Sequence, residues 1–234
     1  MGLAQDGLDV AVNFQRDQAA ADLTVSELRA LGVRANAYRA SVDSFADDQA
    51  MVEGVLADFG RLDVLVHNAG IASRGKSVAD TDPDEVVRVM ATHAFAGHSL
   101  AKLCVPHMRT RGRGDIVMIS SVATKLLSPN GAPYNMAKAA LEALAFTLAK
   151  EERKHGIRVN VVAPGLVETD MGKRLVRATM GVTDLRSLDA NMPFGRVCQP
   201  EDVANAVRFL VSERGFYLTA EKLSVDGGGS GNPW

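Results

Sequence analysis

Three residues near the middle of the chain have types and spacing suited to proton transfer: Ser121, Tyr134 and Lys138, within SSVATKLLSPNGAPYNMAKAALEAL. Tyr134 and Lys138 stand four apart where a helix begins, so phenol and ammonium share one helical face. A phenol of ordinary pKa ~10 is a poor acid or base at neutral pH, and a neighbouring cation lowers that value by favouring phenolate. Ser121 closes the apolar run GDIVMISS, and in open parallel sheets ligands bind beyond the carboxyl ends of the strands. Such a set can exchange a proton with a carbonyl or alcohol oxygen while the serine hydrogen-bonds that oxygen. The bland alternative is an exposed Tyr–Lys helix pair with no role. Against it stand the serine on a strand end and Asn68-Ala69-Gly70 closing another strand.

A second motif competes for attention. Residues 70–77, GIASRGKS, match the phosphate-loop pattern G-x-x-x-x-G-K-S/T letter for letter. A working phosphate loop needs a helix whose first turn holds the Lys and Ser, so that backbone N–H groups face the phosphates. Here VADTDP follows Ser77, and the helix-start signal at Asp82-Pro83 comes more than a turn too late. None of the strand-like runs ends in an aspartate after four apolar residues, as magnesium binding would require. A triphosphate binder is therefore only a remote alternative.

The elements that must position these residues follow from periodicity. Short β-branched runs at 9–14, 35–41, 63–69, 114–121, 157–164 and 222–228 alternate with helical patterns at 17–31, 44–59, 83–108, 133–155 and 200–212. This is the rhythm of an α/β fold, a parallel sheet with helices on both faces, and the strands are apolar throughout as double-sided burial demands. Asp82-Pro83-Asp84-Glu85 and Gln199-Pro200-Glu201-Asp202 mark two helix starts. The segment 165–198 reads as a long irregular loop, a lid or substrate-binding loop. MGLAQDG reads as the last turn of a helix ended by Gly7.

Bulk numbers exclude several classes. The 234 residues, 47% hydrophobic and 23% charged, suit one large soluble domain. A net charge of -2 offers no field for a nucleic-acid backbone. Cys104 and Cys198 are far apart and lack metal-ligand spacing, so no structural zinc, no other metal and no disulfide framework is expected, and a reducing, cytoplasmic setting fits best. No apolar run approaches the ~18 residues of a membrane span.

Taken in order, LDVLVHNAG, ISS with YNMAK, RVNVVAPGLVETDM, PFGRVCQPEDVANAVRFLVS and LSVDGG resemble the short-chain dehydrogenase/reductase family, most closely its 3-oxoacyl-acyl-carrier-protein-reductase-like branch, from about Asp9 to Gly229. The resemblance implies a single doubly wound Rossmann-type domain over 1–234 and an NAD(P)-dependent oxidoreductase interconverting a ketone and a secondary alcohol, a 3-oxoacyl thioester being one candidate. Tyr134 would be the general acid, Lys138 would lower its pKa and bind the nicotinamide ribose, and Ser121 would orient the carbonyl. Asn68, Ala69 and Gly70 would line the adenosine side, Val42 and Ser41 the adenine, and Pro164, Gly165, Val167 and Thr169 the nicotinamide carboxamide. A homo-oligomer, tetramer or dimer, is also implied.

Departures from the family pattern sharpen the expectations. His93 stands where the family has an asparagine that supports a water chain to the lysine; it can relay protons, or be a satisfied helix histidine. His67 replaces the first asparagine of N-N-A-G, and Ser41 an aspartate. Asn13 and Arg16, with no acid at the strand end, favour NADP(H) over NAD(H). The family's first strand and its T-G-x-x-x-G-x-G turn would precede Met1. Without them, the strands at 9–14 and 63–69 should stand about two strand spacings, ~10 Å, apart, too far for backbone hydrogen bonds. Three readings stay open: a natural start upstream, which is favoured; closure of the two strands with a distorted cofactor cleft; or a catalytically silent protein kept for assembly or regulation.

Overall fold

The computed structural model describes residues 1–229. The first unit is built from α1 (Gly2–Gln5), β1 (Val10–Phe14), α2 (Gln18–Ala30) and β2 (Ala35–Arg39), with β1 and β2 paired in parallel from Val10↔Ala35 to Phe14↔Arg39. Asp17 accepts from the N–H of Ala20 to start α2, and Val25 and Leu28 bury its inner face with Ala4 and Ala35. Then come α3 (Phe45–Phe59), capped by Ser44 and ended by Gly60 in the left-handed conformation, and β3 (Val64–His67).

After β3 no helix forms until Pro83, where Asp82 caps α4 (Pro83–Met90). The phosphate-loop geometry is thus absent from residues 70–77. A π-helical turn, Ala91–Phe95, joins α4 to α5 (Ala96–Arg109), making one long helix as the periodicity predicts. The second half runs β4 (Gly114–Ile119), a short α6 (Ala123–Leu126), α7 (Ala132–Glu152), β5 (Ile157–Pro164), α8 (Asp170–Met180), α9 (Pro200–Val211) and β6 (Lys222–Val225). β3, β4, β5 and β6 form a second parallel sheet in that order.

β4 and β5 are buried at every residue, and their side chains serve two cores. Ile116, Met118, Val159 and Val161 pack with Leu100 of α5 and Leu141 of α7, whereas Val117, Ile119 and Val162 pack with Val207 and Leu210 of α9. Helices on both faces explain why these strands are apolar without alternation.

The expected break in the sheet is present. β1 pairs only with β2 and β3 only with β4, and a cavity of about 580 Å³ lies between the two edges, reached by Val10 and Ala11 on one side and Leu65 and Val66 on the other. The two strands have not closed up. Helices bridge the gap: α1 lies on α9, where Asp6 forms a two-pronged ion pair with Arg208.

Residues 165–198 are more ordered than the loop expected from their charge and glycine content. Thr169 accepts from the N–H of Gly172 to cap α8, 3₁₀ turns follow at Leu185–Asn191, and Val176, Leu185 and Val197 make a small core of their own. With only Gly172 and Val176 buried on α8, its apolar stripe is too thin to stand out in sequence.

Asp48, on α3, is fully buried with neither carboxylate oxygen hydrogen-bonded. Burial, reinforced by the charges of Asp47 and Asp43, pushes its carboxyl up to about 7. An acid with a raised folded pKa holds its proton more tightly when folded, so stability falls as pH rises from about 4 to about 7. Asp48→Val is expected to stabilise the chain by about 1–3 kcal/mol at pH 8 and to abolish this dependence. Urea unfolding at pH 5 and pH 8 checks both; an equal pH response in variant and wild type would refute the assignment.

Candidate active site

The site forms where β4 ends and α7 begins. Ser120 continues the ladder by donating its N–H to Val162, and Val122 does the same to Pro164, so Ser121 is held between two backbone anchors at the carboxyl edge of the sheet. Its hydroxyl accepts from the N–H of Ala123 at 3.2 Å. The chain then crosses two non-glycine residues in left-handed conformation, Leu127 (φ 49°) and Asn130 (φ 62°), before Pro133 starts α7. Backbone strain of this kind costs about 1–3 kcal/mol per residue and persists only where the surroundings over-determine it.

Tyr134 stands among Ser121, Lys138 and His93: the Ser121 hydroxyl is close enough to the phenol to favour its ionised form. Lys138, one turn along α7, lies with Nζ 5.7 Å from the Tyr134 ring centre and donates to the carbonyl of Ile119 at 2.6 Å. The His93 ring, delivered by the π-helical turn, meets the Tyr134 ring edge-on at 5.4 Å. π-Turns within helices often sit at functional positions, because the extra residue re-aims one side chain.

Burial dominates the electrostatics. It pushes the Tyr134 phenol above its ordinary value, with the Ser121 hydroxyl opposing. The sequence expectation of a phenol lowered by Lys138 is not met in this arrangement, since the ammonium is committed to the strand-end carbonyl. Burial also brings Lys138 down to about 7, against the charge of Glu142. His93 falls to about 3 and His67 to about 4, burial leading in both and the Lys138 charge adding to it, so both rings are neutral around pH 7.

The two histidines are stacked in one relay of backbone bonds. His67 Nε2 donates to the carbonyl of His93 at 2.8 Å, while His93 Nε2 sits 2.9 Å from the carbonyl and 3.1 Å from the N–H of Ile71. Each keeps a buried Nδ1 without a partner. Gly70 is required beneath the His93 ring: a Cβ there would lie 2.4 Å from Cε1. Thus Gly70 supports His93 directly, a contact invisible in the spacing.

The other predicted positions fall into two groups. Pro164 ends β5; Gly165 donates to Val225 at 3.0 Å, and its open face meets Asp226. Val167 bridges to Cys198, and Thr169 caps α8. On the other side, Asn13, Val42, Asn68 and Ala69 line the cavity between the two sheets. Asn13 is tied to the carbonyl of Ala40 at 3.1 Å, Ser41 receives Gln15 and donates to Asp43, and Arg16 is exposed without a partner among the described residues. Sequence reasoning passed over Glu142, Thr124 and Lys222, which bond one another beneath Ser120 and Ser121. No motif joins residues 98 positions apart.

A nicotinamide cofactor can be tested against these side chains. On the carboxamide side Gly165–Val167 leaves the end of β5 as a loop fixed to Val225 and Cys198. On the pyrophosphate side the turns after β1, β2 and β3 contain only Gly70 and Gly75, and Gly70 is occupied by His93. Among the described residues no cluster suits a metal ion, and no helix is long and apolar enough to cross a membrane.

Comparison with known proteins agrees with this geometry. Residues 1–230 match a family model described as Enoyl-(Acyl carrier protein) reductase. The chain is 33% identical over 226 residues to the 3-oxoacyl-(acyl-carrier-protein) reductase FabG of Staphylococcus aureus strain Mu50, covering 97% of this chain and 89% of that protein. Among solved structures, NAD+-bound xylitol dehydrogenase superposes with a TM-score of 0.89 at 28% identity, covering 97% of this chain and 91% of the other. A 7α-hydroxysteroid dehydrogenase complexed with NADH and 7-oxo glycochenodeoxycholic acid gives 0.88 at 30% identity, with 97% and 86% covered. With its Ser–Tyr–Lys geometry on a parallel Rossmann-like sheet, the chain belongs to the short-chain dehydrogenase/reductase family of oxidoreductases, which interconvert ketones and alcohols with nicotinamide cofactors.

Proposed function

We propose that this chain reduces a ketone, a 3-oxoacyl thioester being one candidate, with NADP(H), and that Tyr134 is its general acid. The observation that carries this reading is Tyr134 set between the Ser121 turn and buried Lys138, whose Nζ lies 5.7 Å from its ring centre. A phenol held protonated by burial is ready to give its proton to a carbonyl oxygen as negative charge develops there. Ser121 donates its hydroxyl to that oxygen and orients it. Lys138, an ammonium below pH about 7, supports the phenolate left behind and offers its charge to a ribose hydroxyl. Pro164, Gly165, Val167 and Thr169 on one side and Asn13, Ser41, Val42, Asn68 and Ala69 on the other would hold a nicotinamide cofactor, which would supply the hydride when bound, with Gly70 given over to the His93 ring. His93, pressed against Tyr134, extends the polar chain from Lys138 in place of an asparagine. The segment 165–198 closes over the substrate.

A second reading draws on the unpaired edges of β1 and β3 among the described residues: a silent family member kept for assembly or regulation. Titration with NADPH and NADH separates the two. Tyr134→Phe should lower kcat about 10²–10⁴-fold and leave the Kd for NADPH unchanged; binding of neither cofactor to the wild type would favour the silent reading.

The preference for NADP(H) rests on Arg16, uncommitted near a strand end that has Asn13 instead of an acid. The two solved neighbours named above hold NAD+ and NADH, so the preference is argued from this chain's own residues. Arg16→Glu is expected to weaken NADPH about tenfold and to spare NADH, read as KM for each; equal losses would refute it.

We also infer a homo-oligomer in a reducing, cytoplasmic setting. Exposed Val87 and Phe95 on one long helix and Phe209, Phe216 and Tyr217 near α9 support association, and both cysteines are free thiols. Light scattering should give a dimer or tetramer mass; a monomer at micromolar concentration would contradict it.

A further inference from the structure

Beneath the Ser121 turn lies a polar cluster that the reaction described above does not use. Glu142 follows Lys138 by one turn of α7, on the same helical face. Its Oε1 accepts from the hydroxyl of Ser120 at 2.6 Å and lies 2.9 Å from that of Thr124. Lys222, the first residue of β6, donates to Thr124 at 2.6 Å and pairs with Glu142 at 2.8 Å. Thr124 is also 3.0 Å from the carbonyl of Ser121. The carboxylate is therefore held by two hydroxyls and an ammonium from three separate elements, with its side chain only 12% exposed. So many fixed partners hold the side chain in one place.

Lys138 faces Tyr134 and Glu142 from its own helix, His93 from the π-helical turn, His67 from β3 and the Ile119 carbonyl from β4. Both histidines are neutral near pH 7 and the phenol is protonated, so Glu142 is the negative charge among these groups. In a buried setting such a charge is weakly screened and favours ammonium over amine.

We propose that Glu142, braced by Lys222, Ser120 and Thr124, is a positioning residue of the active site that sets the charge state of Lys138. The inference deepens the Tyr–Lys reading given above and rests on it for its functional meaning. Lys222 tempers the effect, since its own positive charge offsets part of the carboxylate's field. The device links β6 at the end of the chain to the lysine on α7, so the charge of the site depends on the closing strand being docked.

The test follows the ε-amino group itself by ¹⁵N-lysine NMR on the full chain, titrated from about pH 5 to 10, with Lys138→Arg to assign the signal. Glu142→Gln should lower the Lys138 midpoint by about one pH unit. Lys222→Met, which leaves the carboxylate uncompensated, should raise it, and this arm decides the matter if Glu142→Gln does not fold. Where turnover is measurable, the alkaline limb of the kcat/KM profile for ketone reduction moves in the same direction. A pair that merely braces the fold would lower the melting temperature of both variants and leave the Lys138 midpoint at its wild-type position, and that result overturns the proposal. Failure of the reductase reading is distinguishable, because a wild type that reduces no ketone still shows or lacks the midpoint shifts.

Discussion

The β4–β5 ladder is the constraint on which the remainder depends. Six consecutive pairs, Gly114↔Ile157 to Ile119↔Val162, run between strands buried on both faces, so each backbone polar group must be satisfied by the neighbouring strand. Register cannot slip, because one residue of shift would exchange the α5/α7 core for the α9 core. The ladder therefore delivers Ser121 and Gly165 to fixed places at its carboxyl edge. Every polar element of the site is gathered there, where the chain first leaves the apolar layers.

That placement creates a tension between burial and charge. Lys138, His67 and His93 are all buried, and burial drives all three toward neutrality. The two histidines accept this state and satisfy one nitrogen each on backbone groups. Lys138 instead retains a carbonyl ligand at Ile119 and a carboxylate one turn away, which offset part of its lost hydration. His93 puts a group able to donate or accept beside Tyr134, at the expense of an orphaned Nδ1 and an obligatory glycine at position 70.

The divided sheet has the opposite character. Between β1 and β3 the backbone edges lack strand partners, and the two halves communicate through α3 against α5 and through α1 against α9. Side-chain packing and the Asp6–Arg208 pair carry what strand pairing carries elsewhere. The residues of β1 and those after β3 consequently face a cavity, whereas those around β4 and β5 are presented by a continuous ladder.

Much of this was legible in the chain itself. Six apolar runs, two proline-marked helix starts and the Ser–Tyr–Lys spacing depend on local periodicity and short-range hydrogen bonding, and the structure has a strand in each run, a helix at each start and Tyr134 near both Ser121 and Lys138. The lateness of the Asp82-Pro83 start disposed of the phosphate-loop match, again through a local rule. What composition concealed was α8, whose buried stripe is only Gly172 and Val176, and the pKa balance of Tyr134, where burial outweighs the influence of Ser121. Gly70 under His93, the bare carboxyl of Asp48 and the Glu142–Lys222 link were beyond any sequence pattern, because each joins residues that only the parallel crossovers bring together. Periodicity determined which segments are strands and helices and which residues share a helical face; the tertiary structure alone decided how deeply each charge is buried and which distant group answers it.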